Sequence, residues 1–193
     1  MSDSLVSKPA DPSDESLSEG CRRHSLAAYQ RLFETHGGRM KSLAYNILGN
    51  TADAEDAVQE AFLKIFRNVD SFKGDAAFST WVFRILVNSC RDIQRRSRRR
   101  RAEVRDSDSS DEMNALPEPT AADHPLRISL EQSLRKLDAR SRTVFLLYEV
   151  EGFKHREIAE VLNMPEGTSK NLLFHAKREL QVLLSRAGRI GRA

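Results

Sequence analysis

Trp81, Arg84, Asn88, Arg91 and Arg95 recur at steps of three and four within residues 78–101, FSTWVFRILVNSCRDIQRRSRRRR. That spacing predicts one helix with the five on a common side. An indole, an amide and three guanidiniums in a row suit bases and phosphates better than a small metabolite. The indole stacks, the amide reads a base edge, and the arginines neutralise backbone charge. Val82, Phe83, Leu86, Cys90 and Ile93 fall largely on the opposite, apolar side. The same pattern also fits a core-facing Trp81 beside a solvated arginine run, so the footprint alone leaves both readings open.

Several elements must position this helix. Leu26, Tyr29, Leu32, Phe33, Met40, Leu43, Ala44 and Ile47 keep helical spacing over 25–48. Gly37 and Gly38 interrupt it, each at a cost of about 1 kcal/mol in a helix interior, so a bend or break is expected there. Gly49 reads as a C-terminal cap, and Asn50 or Thr51 as the next N-cap. A second helix over 52–68 opens with Asp53, Glu55 and Asp56, acids that complement the helix dipole. Ala54, Ala57, Val58, Ala61, Phe62, Ile65 and Phe66 form its apolar side. Asp56, Gln59 and Glu60 lie outside that stripe, either as a solvated face or as an acidic dock for a basic partner helix. Residues 69–77, VDSFKGDAA, read as a loop, with Phe72 short of apolar neighbours and Ser79 a candidate cap for the arginine-rich helix.

Residues 1–21 and 102–125 are rich in Ser, Asp, Pro and Glu and are predicted to be a disordered tail and a flexible linker. Beyond the linker, Leu130, Leu134 and Leu137 mark a short helix. Asp138 or Ser141 caps the next, which Gly152 stops. Residues 155–162 form a third short helix, Asn163-Met164-Pro165 a turn, and 166 to about 185 a longer helix with Leu173, Ala176, Leu180 and Leu183 on one line. Short helix, tight turn and longer basic helix is the helix-turn-helix pattern. Lys170, Asn171, Phe174, Lys177 and Arg178 lie off the apolar line and are the candidates to face DNA. An ordinary helical hairpin has the same outline.

The charge distribution agrees with a polyanionic partner. The chain carries a net +3, but residues 1–20 sum to −4 and residues 102–125 to −6, which leaves +13 on the parts predicted to fold. Two cysteines, Cys21 and Cys90, make no disulfide framework. Cys21-x-x-His24 is at most half a metal site, and a closed zinc site needs four ligands. No P-loop, dinucleotide fingerprint or nucleophile motif is present, so neither an enzyme nor a cofactor or metal is expected. No signal peptide or run of about 18 apolar residues is seen, which points to the cytoplasm without membrane insertion.

Three runs carry a specific resemblance: DAEDAVQEAFLKIF at 53–66, FKGDAAFSTWVFRILVNSCRD at 72–92, and HREIAEVLNMPEGTSKNLLFHAKREL at 155–180. Over roughly residues 24–185 the chain resembles bacterial extracytoplasmic-function (ECF) sigma factors. The resemblance implies an all-α protein of two small helical domains joined by the acidic linker. Domain 2 would span 22–101 and domain 4 would span 126–186, with 187–193 as a tail. It implies a non-enzymatic subunit that binds core RNA polymerase at the clamp coiled-coil and flap and directs initiation of a stress or envelope-type regulon. An anti-sigma factor would hold it in check.

Asp53, Asp56, Gln59, Glu60 and Phe62 would meet the clamp. Phe72, Lys73, Asp75, Ala77, Trp81, Arg84, Asn88, Arg91 and Arg95 would bind the −10 element, with Phe72 and Asn88 around one extruded base. Arg156, Glu166, Gly167, Thr168, Lys170, Asn171, Phe174, Lys177 and Arg178 would bind the −35 element in the major groove. The linker would thread a polymerase channel built for nucleic acid. Leu172 and His175 replace two arginines of the family's usual TVKSRLxRAR, Lys177 replaces a third, and Lys154 stands where Ser or Thr is common. A stand-alone helix-turn-helix regulator and a nuclease using the acidic helix are the alternatives.

Overall fold

The protein is described by a computed structural model over residues 12–105 and 125–190, and every regular element among the described residues is helical. The acidic linker expected at 102–125 lies outside the described residues from 106 to 124, as does the tail from 1 to 11.

Helix α1 spans Pro12–Arg22, so all but its last residue falls in the segment expected to be disordered. Asp14, Leu17, Ser18 and Cys21 are its buried positions. Their spacing is helical, but two of the four are polar, so a hydrophobic pattern does not reveal the stripe. Helix α2 runs unbroken from Leu26 to Leu48 through both glycines, against the expected bend. The Phe33 ring lies over Gly37, where an added Cβ would come within 3.1 Å of it. Gly49 ends α2 in the left-handed conformation (φ 86°). Asn50 then caps α3 (Thr51–Asn68): its Oδ1 accepts from Asp53 N at 2.8 Å, and its Nδ2 donates to Asp53 Oδ2 at 2.8 Å.

A single 3₁₀ turn, Val69–Ser71, and an extended stretch with Gly74 at φ 80° lead into α4, Phe78–Arg105. Because α4 starts at Phe78, Ser79 lies inside the first turn and is not the cap. The helix also continues past the expected linker boundary. Met40, Leu43, Ala57, Ile65, Val82, Phe83 and Leu86 fill the core shared by α2, α3 and α4.

The second module comprises α5 (Pro125–Lys136), α6 (Ala139–Phe145) with a π-helical turn at Leu146–Val150, α7 (His155–Leu162) and α8 (Glu166–Ile190). Asp138 caps α6 by accepting from Arg140 N (3.0 Å) and Ser141 N (3.2 Å), and Gly152 turns the chain at φ 73°. Lys154 does occupy the cap position of α7. The Glu157 carboxylate accepts its N–H at 2.7 Å, the half of a capping box that does not need a Ser or Thr. Asn163, left-handed at φ 51°, makes the turn into α8. Helix α8 extends to Ile190, into the expected tail.

The two modules pack against each other. Phe83 on α4 meets Phe153 edge-on at 5.2 Å, and Arg135 on α5 donates to the Tyr45 hydroxyl at 2.6 Å. Arg91 donates to the Leu162 carbonyl at 3.3 Å. No helix among the described residues is long and apolar enough to cross a membrane.

Candidate nucleic-acid interface

Trp81 and Asn88 line one cleft, together with Ile85 and with Lys64, Asn68 and Ser71 from the end of α3 and the turn after it. Its volume, about 310 Å³, lies at the lower end of ligand-cleft sizes, roughly 300–1,000 Å³. Trp81 is held by two neighbours: Phe78 stacks on it at 5.6 Å and 19°, and Phe72 leans against it at 5.6 Å. Asn88 is exposed one helical repeat further on, two turns along the same side of α4. The cleft is therefore lined by an indole, by amide groups and by the Lys64 ammonium.

Lys64 is itself fixed. Its Nζ lies 3.0 Å from Glu60 Oε1 and 3.1 Å from Asp92 Oδ2, and it donates to Ser89 Oγ at 3.2 Å. Burial lowers the Lys64 pKa, but the bonds and charges of Glu60 and Asp92 outweigh this and hold it above the usual lysine value. Arg96 closes the network on Glu60 at 2.5 Å. Burial raises the Glu60 carboxyl, and Lys64 and Arg96 more than offset that, so its pKa is lowered.

The five residues of the predicted α4 face do not act on one surface. Trp81 and Asn88 line the α3–α4 cleft. Arg84 lies across from Arg156, Glu160 and Glu166 in a second cleft, between α4 and the α7–α8 turn. Arg91 reaches the end of α7, and its pKa is lowered by burial and by the charge of Arg140. Arg95 is exposed and pairs with Asp92 at 2.7 Å. The five lie within about 80° of helical arc, and α7 and the turn after it meet the edge of that arc that carries Arg84 and Arg91.

Phe72 departs from expectation. It is buried, against Phe78 and Trp81, with the Arg22 guanidinium 5.7 Å from its ring centre. It is not a wall of the cleft and offers no free face to a base; it supports Trp81 instead. Lys73 and Asp75 are exposed and Ala77 is half-buried. Lys64, Asn68 and Ser71 are the residues sequence reasoning missed. Their spacing of four and three was the available signal, because it sets them on one line running towards the loop.

On α3, Asp56 and Gln59 are exposed. Asp53 is occupied by the Asn50 cap, and Glu60 by Lys64 and Arg96. Phe62 is half-buried, with the Phe33 ring 5.5 Å away. In the second module, Gly167, Thr168, Asn171, Phe174 and Arg178 are exposed along α8, and Phe174 is 62% exposed. Glu166 pairs with Lys170 at 2.8 Å, Lys177 with Glu149 at 2.6 Å, and Arg156 with Glu160 at 3.7 Å. His155 Nδ1 lies 3.0 Å from the buried Ser169 hydroxyl, which ties α7 to α8.

Burial pushes the Cys21 thiol up to about 11 and the Cys90 thiol up to about 12, which keeps both protonated. Among the described residues no three His, Cys, Asp or Glu side chains are grouped as a metal site would need.

The Sigma-70 region 2 family matches residues 32–101, and the Sigma-70 region 4 family matches residues 127–180. The chain is 31% identical over 163 residues to the ECF RNA polymerase sigma factor SigW of Bacillus subtilis, covering 80% of this chain and 87% of that one. It is 29% identical over 187 residues to the RNA polymerase sigma-H factor of Pseudomonas aeruginosa, covering 90% and 97%. Among solved structures it resembles the sigma factor RpoE bound to the anti-sigma factor NepR from Bartonella quintana, with a TM-score of 0.69 at 25% identity over 81% of this chain and 96% of that one. CnrH in complex with the cytosolic domain of CnrY gives a TM-score of 0.66 at 25% identity, over 90% and 98%. With two helical modules, a cleft on the first and a helix-turn-helix in the second, the chain belongs to the extracytoplasmic-function family of RNA polymerase sigma factors.

Proposed function

We propose that the α3–α4 cleft receives one base of the melted −10 element, with Trp81 as its stacking surface and Asn88 as the reader of its edge. The observation that supports this most is that a lone tryptophan and an exposed amide, seven residues apart on α4, line the same cleft. Capturing an extruded base offsets part of its unpairing cost, a few kcal/mol. Lys64 places positive charge where the sugar-phosphate strand leaves the cleft. The exposed side of α8, around Asn171 and Phe174, enters the major groove at the −35 element. An amide suits adenine there, and an apolar ring suits a thymine methyl.

Core RNA polymerase docks on α3 through Asp56, Gln59 and Phe62, with the clamp coiled-coil supplying basic side chains. Such rim charges set specificity and on-rate more than affinity. The subunit carries no catalytic group of its own and works in the cytoplasm, on the nucleoid. An anti-sigma factor restrains it; the similar sigma factor RpoE is found in complex with the anti-sigma factor NepR.

The test is transcription from a cognate promoter with core polymerase added or withheld. Run-off product should need core, and Asn88→Ala should block strand opening, read by permanganate reactivity, while core affinity stays at the wild-type level. Symmetric-site binding without polymerase would favour a stand-alone regulator. Loss of core binding by Asn88→Ala would make that residue structural.

A further inference from the structure

Helix α1 lies outside the residues matched by the region 2 family, yet it touches both ends of segment 72–79. At one end, Arg22 Nη2 donates to the Phe72 carbonyl, and the Arg22 guanidinium lies over the Phe72 ring. At the other, Asp14 Oδ2 accepts from Ser79 N at 3.1 Å and from Ser79 Oγ at 3.0 Å.

The second contact supplies what the local sequence lacks. The first N–H groups of a helix need an acceptor from outside it. The residue before α4 is Ala77, whose carbonyl accepts from Trp81 N at 3.2 Å, but alanine has no side-chain oxygen with which to cap. A carboxylate 65 residues upstream takes that place, and its charge complements the positive end of the helix dipole. Between the two anchors sit three rings in mutual contact: Phe72–Phe78 at 5.2 Å, Phe78–Trp81 at 5.6 Å and Phe72–Trp81 at 5.6 Å. The last of them is the stacking wall of the cleft.

We propose that Asp14 and Arg22 are positioning residues for promoter recognition: α1 braces segment 72–79 from both ends and so holds Trp81 in the orientation that completes the base cleft. This rests on the reading of that cleft as a base pocket. Neither residue touches DNA. They act through the Phe72 carbonyl, the Phe72 ring and the first turn of α4. Helix α1 is in turn seated by Leu17 and Cys21, and by a close approach to α2 at Gly20, where an added Cβ would lie 2.7 Å from Ala28 Cβ. A larger side chain at Gly20 therefore lifts α1 away without altering the loop, α4 or any residue of the cleft.

The experiment uses the full chain with core polymerase and promoter DNA whose −10 bases are substituted one at a time. It measures the ratio of opening on cognate against substituted DNA, core affinity, and acrylamide quenching of Trp81, the chain's single tryptophan. Asp14→Ala, Arg22→Ala and Gly20→Leu should each lower base discrimination about fivefold, the size expected for one lost cap or anchor. Each should also raise Trp81 quenching and leave core affinity unchanged. Asp14→Asn keeps an acceptor oxygen and should retain most of the discrimination.

Wild-type discrimination in Gly20→Leu and Asp14→Ala overturns the proposal. So does a loss that only follows the fall in core affinity and thermal midpoint, because α1 would then be merely structural. Asn88→Ala is the control for the underlying reading. Normal opening by that variant removes the base pocket and this proposal with it, whereas a defective Asn88→Ala beside normal α1 variants removes this proposal alone.

Discussion

Arg39 on α2 grips Glu151 twice across the two modules, with Nε 2.7 Å from the carboxylate Oε2 and Nη2 donating to the Glu151 carbonyl at 2.8 Å. The Glu151 side chain is 3% exposed, whereas Arg39 is 46% exposed. Burial raises the Glu151 carboxyl, and Arg39 offsets part of that rise. The same guanidinium lies 5.6 Å from the centre of the Phe83 ring, whose edge contact with Phe153 joins the modules.

That grip helps hold an arrangement which, on the proposed assignment of the −10 and −35 surfaces, promoter binding must undo. Arg84 and the −35 candidates Arg156 and Glu166 share one cleft. The −10 and −35 elements are about 25 base pairs apart, roughly 85 Å of duplex at about 3.4 Å per step, so residues side by side in one cleft do not serve both. Arg39→Ala leaves the Glu151 carboxylate buried without its cation. Because Arg39 itself is half-exposed, the loss should weaken the docked arrangement by about 1–2 kcal/mol, less than for a fully buried pair. X-ray scattering should then show a larger radius of gyration for the variant, and promoter complexes should form faster with the same core affinity. An unchanged scattering profile would mean that the ring contact alone holds the modules.

The sequence made most of the helices visible, because apolar spacing at 3.6 residues and the caps Gly49, Asn50 and Asp138 are local signals. The cleft was half legible. Trp81 and Asn88 stand out by type and spacing, but Lys64, Asn68 and Ser71 resemble an ordinary solvated helix end until α4 is laid against them. Phe72 misled for the opposite reason. A lone aromatic in a Gly- and Asp-containing loop reads as exposed, and the partners that bury it, Arg22 and Trp81, come from elsewhere in the chain. Helix α1 was hidden because Asp14 and Ser18 occupy half of its buried stripe, and the reason for a buried Asp14 is a helix end 65 residues away. The contact between the modules is longer in range still, and no local pattern announces Arg39–Glu151.

The acidic side of α3 divides into two kinds of carboxylate, and they should respond differently to substitution. Asp56 is exposed, so Asp56→Arg should lower core affinity about tenfold or more through like-charge juxtaposition with a basic partner, with no change in thermal midpoint. Glu60 holds Lys64 and Arg96. Glu60→Gln should cost about 0.5–1 kcal/mol of stability, the scale of a partly exposed ion-pair network, and should also loosen Lys64 at the cleft. Binding titrations beside urea melts separate the two effects. Equal loss of core affinity in both variants, with stability unchanged, would return Glu60 to the docking surface.

On α8, Lys177 is engaged by Glu149 at 2.6 Å and lies 5.6 Å from the Tyr148 ring centre. The Glu149 hydrogen bond, helped by the Glu149 charge, holds the Lys177 ammonium above its usual pKa against the opposing effect of desolvation. A phosphate must compete with that carboxylate. Glu149→Gln should therefore tighten binding to −35 DNA and steepen its salt dependence by up to about one unit of slope, the signature of one added phosphate contact. Affinity measured between low and moderate salt checks this. A parallel gain at every salt concentration would point to a contact other than a phosphate.

His36 gives the fold a pH dependence whose sign is fixed by its surroundings. Its side chain is buried, its Nδ1 has no hydrogen-bond partner among the described residues, and the Phe83 ring stands edge-on at 6.1 Å. Burial lowers its pKa from 6.5; Asp14 on α1 pulls it up and Arg39 on α2 pushes it down, and the net direction is downward. The folded chain thus keeps His36 neutral where the unfolded chain takes up a proton. Below about 6.5 the unfolded state binds more protons, so stability falls as pH drops towards the folded-state pKa and is flat above about 6.5. His155 acts in the same direction, lowered by burial and by Lys170 and Lys177. Glu151, raised by burial, acts in the opposite sense from 4.5 upward. Subtracting a variant from the wild type at each pH isolates the histidine: His36→Leu removes the titrating ring and the unpartnered nitrogen together. Between pH 7 and 5, its unfolding free energy should fall less steeply than that of the wild type, by at most about 1.4 kcal/mol per pH unit. Parallel pH profiles for the two proteins would assign the acid sensitivity to His155, and His155→Gln would then carry the difference.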